Sequence, residues 1–289
     1  MSGNLEDFIR DDQIIQELLV PRNKLIMVMG GADTGKTTLI ECISDLLAKK
    51  TNVGIIDTDM GQSHIGLPTT VAWGMVKGEF KGWQLIHVKD FYFTGALSPV
   101  GNLLPALTGA KLITDKALST CDKVVLDTTG LIAEPAGRVL KQFKIDILSP
   151  DIVLTLERSH ELGHILNGFK YLTSPRIYRL PVPGQVASKS AAKRTRYRLE
   201  KFTSYFTGSH TLEISFNDAG IRFIREPMSI NTAELKHKIV SFRDEMNRDI
   251  ALGIIVGLNL KERKILIRSP INKDVKFYTL VIGIVNIHT

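Results

Sequence analysis

Along the first half of the chain, apolar residues arrive in short unbroken runs separated by stretches with helical spacing. KLIMVMG at 24–30 and NVGIID at 52–57 are two such runs, and CDKVVLD at 121–127 and PDIVLTLE at 150–157 are two more. A run that is apolar on both sides, with no two-residue alternation, suits a parallel strand covered on both faces. Between the first two runs the spacing predicts a helix from about Lys36 to Lys49. Ahead of them, Leu5, Phe8, Ile9, Ile15, Leu18 and Leu19 recur at roughly helical intervals until Pro21, which predicts a leader helix within residues 1–22. Residues 23–247 therefore read as a doubly wound α/β domain with a mostly parallel sheet and helices on both faces.

The C-terminal stretch changes character. ALGIIVGLN, KILIRS and FYTLVIGIV follow one another across the polar turns LKER and PINKD, which predicts a small antiparallel β unit over 248–289. No internal repeat of the earlier part is visible.

Composition narrows the class. With 289 residues, 44% of them hydrophobic, the chain can bury a full core. Cys42 and Cys121 are too few for a disulfide framework or a four-ligand zinc site, as in a reducing compartment. The start MSGNLEDFIRDD lacks the features of a secretory signal, and no uncharged run approaches the ~18 residues of a membrane span. The expectation is a cytoplasmic protein with no membrane association. A net charge of +7 permits a polyanionic partner without requiring one.

The first chemical signal is Gly30-Gly31-Ala32-Asp33-Thr34-Gly35-Lys36-Thr37, a full GxxxxGK[ST] match between an apolar strand and a helix. In such a loop the backbone N–H groups of 31–35 wrap the β- and γ-phosphates, Lys36 reaches the same oxygens and Thr37 offers a hydroxyl to Mg²⁺. The bulk of the chain is thus expected to be a P-loop NTPase fold that binds a nucleoside triphosphate.

The second run ends in Asp57, Asp59, Gly61 and Gln62. Carboxylates at the C-terminal edge of a strand beside the phosphate loop can hold a metal or take a proton from an attacking hydroxyl. The plainer alternative is an Asp-rich turn whose carboxylates cap the following backbone.

These residues, together with FTGALSPVGN at 93–102, DTTG at 127–130 and RTRYR at 194–198, resemble the polynucleotide 5′-hydroxyl kinases of RNA processing, relatives of the mRNA cleavage-factor kinase subunit and the rRNA-processing kinase. Eukaryotic members carry a large N-terminal β domain for which the first 22 residues leave no room, so a short prokaryotic form is expected. The resemblance implies ATP, or GTP, as donor, Mg²⁺ as cofactor, and RNA, or also DNA, with a 5′-hydroxyl end as partner. It places Lys36, Thr37 and Thr38 on the triphosphate and metal, Asp59 as general base, Asp57 in support of the metal, and Gln62 near the reacting 5′ end. Thr128 to Gly130 match the clasp that positions the phosphates, with Leu131 where several relatives have tryptophan. Arg194 and Arg198 match the RxxxR of the lid, a pair that shares one helix face. Arg196, Lys193 and Lys189 are further candidates for substrate phosphates, and the alternative for that segment is a solvated basic face.

Two candidates are weighed more evenly. Ser98-Pro99 suits either the start of a helix running to about Lys116 or a substrate contact. His64 is a candidate RNA contact or a structural hydrogen-bonding residue. For Trp73, Trp83, Phe91 and Tyr92, core packing is preferred to base stacking. Two other functions fit parts of the pattern: a metallochaperone-type GTPase or ATPase switch, for which a guanine-reading NKxD and a Cys/His cluster are lacking, and a nucleotide-binding scaffold without transfer activity.

Overall fold

The computed structural model describes residues 4–184, 186 and 190–288. Lys189, named above for substrate phosphates, lies outside the described residues, as do the first three residues of the expected leader. The first layered unit contains, in chain order, α1 (Asp12–Leu19), β1 (Leu25–Gly30), α2 (Lys36–Ala48), β2 (Val53–Asp57), β3 (Thr70–Val76), β4 (Val88–Phe93), α3 (Leu103–Leu118), β5 (Lys123–Asp127), α4 (Ala136–Leu148), β6 (Ile152–Glu157), α5 (Gly163–Leu166), β7 (Arg176–Pro181) and α6 (Ala191–Phe206). Its strands form a seven-stranded sheet in the order β4-β3-β2-β5-β1-β6-β7. The strands from β2 to β7 in that order pair in parallel, and β3 and β4 add an antiparallel edge.

Alternation along β1 shows how both faces are covered. Ile26 and Val28 pack with Leu18 of α1 and with Leu39, Ile40 and Ile43 of α2. Leu25, Met27 and Met29 face the other way, toward Ile113 of α3, Ile145 of α4 and Ile165 of α5. This explains the unbroken apolar runs: a strand sandwiched between helix layers buries every side chain.

The second unit follows α6, as β8 (His210–Ser215), β9 (Gly220–Phe223), α7 (Thr232–Leu235), β10 (Lys238–Arg243), β11 (Asp249–Asn259), β12 (Lys264–Ser269) and β13 (Thr279–Asn286). These strands form a six-stranded sheet, ordered β8-β12-β11-β10-β13-β9. The sheet therefore begins at His210, and the expected boundary near 248 falls between the directly paired strands β10 and β11. The three strands anticipated there are also not consecutive neighbours, because β10 inserts between β11 and β13, and β9 runs parallel to β13.

The two sheets share a core. Phe202 and Phe206 of α6 pack with Phe93 at the end of β4 and with Ile239, Leu252 and Val281 of the second sheet. The Tyr205 hydroxyl accepts the Leu252 N–H at 2.9 Å. The C-terminal half of α6 is thus fixed, while its N-terminal half lies over the phosphate loop, capped by the Ser190 hydroxyl. No helix among the described residues is long and apolar enough to cross a membrane.

Candidate active site

β2, β5 and β1 are neighbours, and their C-terminal ends carry Asp57, Asp127 and the phosphate loop side by side, with Asp57 and Asp127 in register. This is the edge of a parallel sheet at which ligands bind. The loop closes through Gly35, whose φ of 90° lies in the left-handed region before α2 begins. Gly130 approaches from the β5 side so closely that a Cβ there would stand 2.7 Å from the backbone N and Cα of Ala32.

A cavity of about 390 Å³ opens at this edge. Ala32, Asp33, Lys36 and Thr37 line its floor, Asp59, Gly61, Gln62 and His64 one wall, Asp127, Thr129, Gly130 and Leu131 another, with Leu97 at the side. Arg194 and Arg198 of α6 complete the lining from above. Residues from five separated segments, 30–37, 59–64, 97, 127–131 and 194–198, are thereby brought together.

The expected residues occupy distinct positions within it. Lys36 donates to the carbonyl of Gly31 at 2.6 Å, and Thr34 donates to the same oxygen at 3.1 Å. Asp59 faces the cavity, its Oδ1 accepting the N–H groups of Gly61 and Gln62 at 3.0 Å each. Gln62 donates to the Arg194 carbonyl at 3.3 Å. Arg194 pairs with Asp33 at 2.8 Å, and the Asp33 carbonyl accepts from Arg158 at 2.7 Å. The α6 helix is further tied to the Asp59 loop by Tyr197 and Lys201, which donate to the carbonyls of Ser63 and His64 at 2.9 Å each. The ring of His64 lies 5.0 Å from that of Trp83 and 5.9 Å from that of Tyr197.

Several of the expected residues lie outside the cavity lining. Asp57 is buried and turned away from the cavity: its Oδ1 accepts the Asp59 N–H, and its Oδ2 accepts the Ser63 hydroxyl and the N–H groups of His64 and Ile65. It organises the Asp59 loop, as the turn-capping alternative describes, and is not among the residues that line the cavity. Arg196 pairs with Glu200 on the solvent side of α6, and Lys193 is exposed as well. Ser98 is exposed and accepts the Val100 N–H at 3.2 Å. The helix expected from Pro99 starts instead at Leu103, and Leu97 is the residue of that motif that reaches the cavity. Thr38 is absent from the lining, and the Thr128 hydroxyl donates to the Val28 carbonyl, tying β5 to β1.

The main omission is Asp127. Its Oδ1 is buried with no hydrogen-bond partner among the described residues. Burial, reinforced by the neighbouring charge of Asp57, pushes this carboxyl up to about 7 against the opposing pull of Lys36. Burial and the Asp59 charge raise Asp57 to about 6, opposed by the backbone N–H groups of Asp59 and His64. Asp127 stands first in the DTTG segment at the end of an apolar run, the same signal that singled out Asp57.

A parallel sheet whose phosphate loop and strand-end carboxylates share one cavity defines a P-loop nucleotide-binding protein. Comparison places the chain within that class: it belongs to the family described as mRNA cleavage and polyadenylation factor CLP1 P-loop, whose model matches residues 30–208. Similar proteins include a polyribonucleotide 5′-hydroxyl-kinase of Methanocaldococcus jannaschii, 36% identical over 68% of this chain and 54% of that protein. Another, of Pyrococcus horikoshii, is 34% identical over 67% of this chain and 52% of that protein. The chain thus spans about half the length of the curated relatives it matches. Clp1p in a wild-type Clp1p–Pcf11p complex superimposes with a TM-score of 0.74 over 95% of this chain and 77% of that one, at 14% identity, which establishes the shared fold.

Proposed function

We propose that this protein is a polynucleotide 5′-hydroxyl kinase that transfers the γ-phosphate of ATP, or of GTP, to the 5′-hydroxyl of RNA, with DNA as a further acceptor. The observation that carries this reading is that Asp59 lines the same cavity as Lys36 and Thr37, beneath Arg194 and Arg198. The names of the curated relatives support the same reaction class.

In the reaction the 5′-oxygen forms a bond to the γ-phosphorus, the bridging P–O bond to the β-phosphate breaks, and a nucleoside diphosphate leaves. Asp59 receives the proton of the 5′-hydroxyl, its carboxylate held in place through Oδ1. Lys36 leaves the Gly31 carbonyl for the phosphate oxygens, and Arg194 exchanges Asp33 for the transferring group. Thr37 and Asp127, the latter with one buried oxygen that has no hydrogen-bond partner among the described residues, line one cavity and would hold Mg²⁺ there. Among the described residues no group of three or more His, Cys, Asp or Glu forms a ready cation cage, which suits a metal that arrives with the nucleotide. When bound, Mg²⁺ supplies charge neutralisation on the phosphate oxygens.

The test is transfer of γ-labelled phosphate from ATP and, separately, GTP to matched 5′-hydroxyl RNA and DNA oligonucleotides, with Lys36→Ala as the blank. Label that reaches the oligonucleotide and vanishes in the blank supports the kinase and ranks donors and acceptors. Nucleotide binding or hydrolysis that depends on Lys36, without label on any oligonucleotide, overturns it.

A further inference from the structure

Beneath the cavity, α4 carries Lys141 and Lys144, and both are buried, at 0% and 1% exposure. Three residues apart on a helix, they project from the same face. An apolar side chain would occupy such positions more cheaply, because an ammonium withdrawn from water requires compensating charge and hydrogen bonds. What these two lysines touch is informative. Lys144 donates to the Thr58 hydroxyl at 2.7 Å, and that hydroxyl donates to the Asp127 carbonyl at 2.7 Å. Lys141 donates to the Thr129 carbonyl at 2.6 Å. Thr58 stands between Asp57 and Asp59, and Thr129 lies two residues beyond Asp127, so the pair grips both strand ends that bear the carboxylates.

A third buried lysine shows what a purely structural role looks like. Lys123 donates to the carbonyls of Leu18, Val20 and Asn23, at and just beyond the C-terminal end of α1. Its acceptors belong to the scaffold, whereas those of Lys141 and Lys144 belong to the two cavity loops. Burial lowers Lys144 to about 8, against the charges of Asp127 and Asp59, and burial together with the like charges of Lys144 and Lys36 lowers Lys141 well below the usual lysine range.

We propose that Lys141 and Lys144 are positioning residues for phosphoryl transfer, which hold the Asp59 loop and the Asp127 strand end in one arrangement. The inference rests on the kinase reading above. Neither lysine lines the cavity, so both act through Thr58 and Thr129.

The experiment compares Lys144→Met, Lys141→Met, Thr58→Val and Thr58→Ser with the wild type in transfer kinetics, nucleotide affinity and melting temperature, with Lys123→Met as the scaffold control. Lys144→Met and Thr58→Val should each lower kcat ~10-fold or more while the nucleotide Kd stays within ~3-fold, and Thr58→Ser should recover kcat to within ~2-fold. Lys123→Met should lower the melting temperature and leave kcat per folded molecule unchanged. If Lys144→Met does not fold, the two Thr58 variants decide, since they alter the relay without burying or removing a charge. Wild-type kcat in folded Lys144→Met and Thr58→Val overturns this inference alone. So does a parallel loss of kcat, affinity and melting temperature, the mark of general loosening. A wild type that labels no acceptor removes the kinase reading, and this inference with it.

Discussion

Asp127 and Asp249 are both buried carboxylates at strand ends, and they are partnered in opposite ways. Asp249, at the start of β11, accepts from Arg243 Nε at 2.7 Å and Nη2 at 3.2 Å, from the Ser241 hydroxyl at 2.6 Å and from the Phe93 N–H at 2.9 Å. Arg243 in turn lies 5.1 Å from the ring of Tyr92. Every one of these contacts joins the second sheet to itself or to β4 of the first. Asp127, at the end of β5, has a buried oxygen with no partner among the described residues. A carboxylate whose oxygens are all engaged acts as a joint. One with an unengaged oxygen beside a phosphate loop is the residue proposed above to hold a cation that comes with the ligand.

The comparison can be tested from its strongest consequence downward. Asp59→Asn removes the proton acceptor from the incomplete side, so transfer should fall ~10³-fold, about 4 kcal/mol of transition-state stabilisation, with circular dichroism and melting unchanged. Near-wild-type turnover in that variant would remove Asp59 from its assigned role. On the joint side, Arg243→Met strands Asp249 in the core and should cost about 3 kcal/mol or more in urea unfolding, while transfer per folded molecule persists. A variant with wild-type stability and impaired turnover would reverse the contrast.

The next consequence is a pH dependence. The Asp127 carboxyl is raised in the folded protein to about 7, so between its unfolded pKa of ~3.9 and that value the folded state holds a proton that the unfolded state has released. Its contribution to stability is therefore greatest below the unfolded pKa and declines as pH rises through the folded one. Asparagine copies the protonated form, so Asp127→Asn without Mg²⁺ should melt roughly 3 °C or more above wild type at pH 8, with a gain much reduced at pH 5. Thermal melts at the two pH values check this, and an equal shift at both would show that titration is not the cause.

The smallest effects separate the two sides of α6. Arg198→Ala, facing the cavity, should reduce kcat ~10-fold and affect nucleotide Kd less, because its work is done in the transition state. Arg196→Ala loses an exposed pair with Glu200 and should stay within ~2-fold in turnover. Oligonucleotide titration at several salt concentrations supplies the cross-check: a shallower salt slope in Arg196→Ala would return that side chain to the substrate phosphates.

What was legible in the sequence follows from how local each requirement is. The phosphate loop was readable because its chemistry is packed into eight consecutive residues, and the central strands because burial on both faces leaves unbroken apolar runs. β4 and β7 left no such run because they sit at the sheet edges, where several of their side chains meet solvent. β8 and β10, carrying charged or polar residues among the apolar ones, were likewise not separated from the preceding domain.

The residue sequence by itself determined the fold class, the loop that cradles phosphate, and the paired arginines one helical turn apart. Only the tertiary structure decided which carboxylate meets the cavity and which caps a turn, since Asp57 and Asp59 differ in no property except the backbone that surrounds them. It also decided that Lys141 and Lys144 point inward. Lysines spaced three apart on a helix are equally compatible with a solvated face, and their burial depends on which strand ends the sheet order brings beneath them.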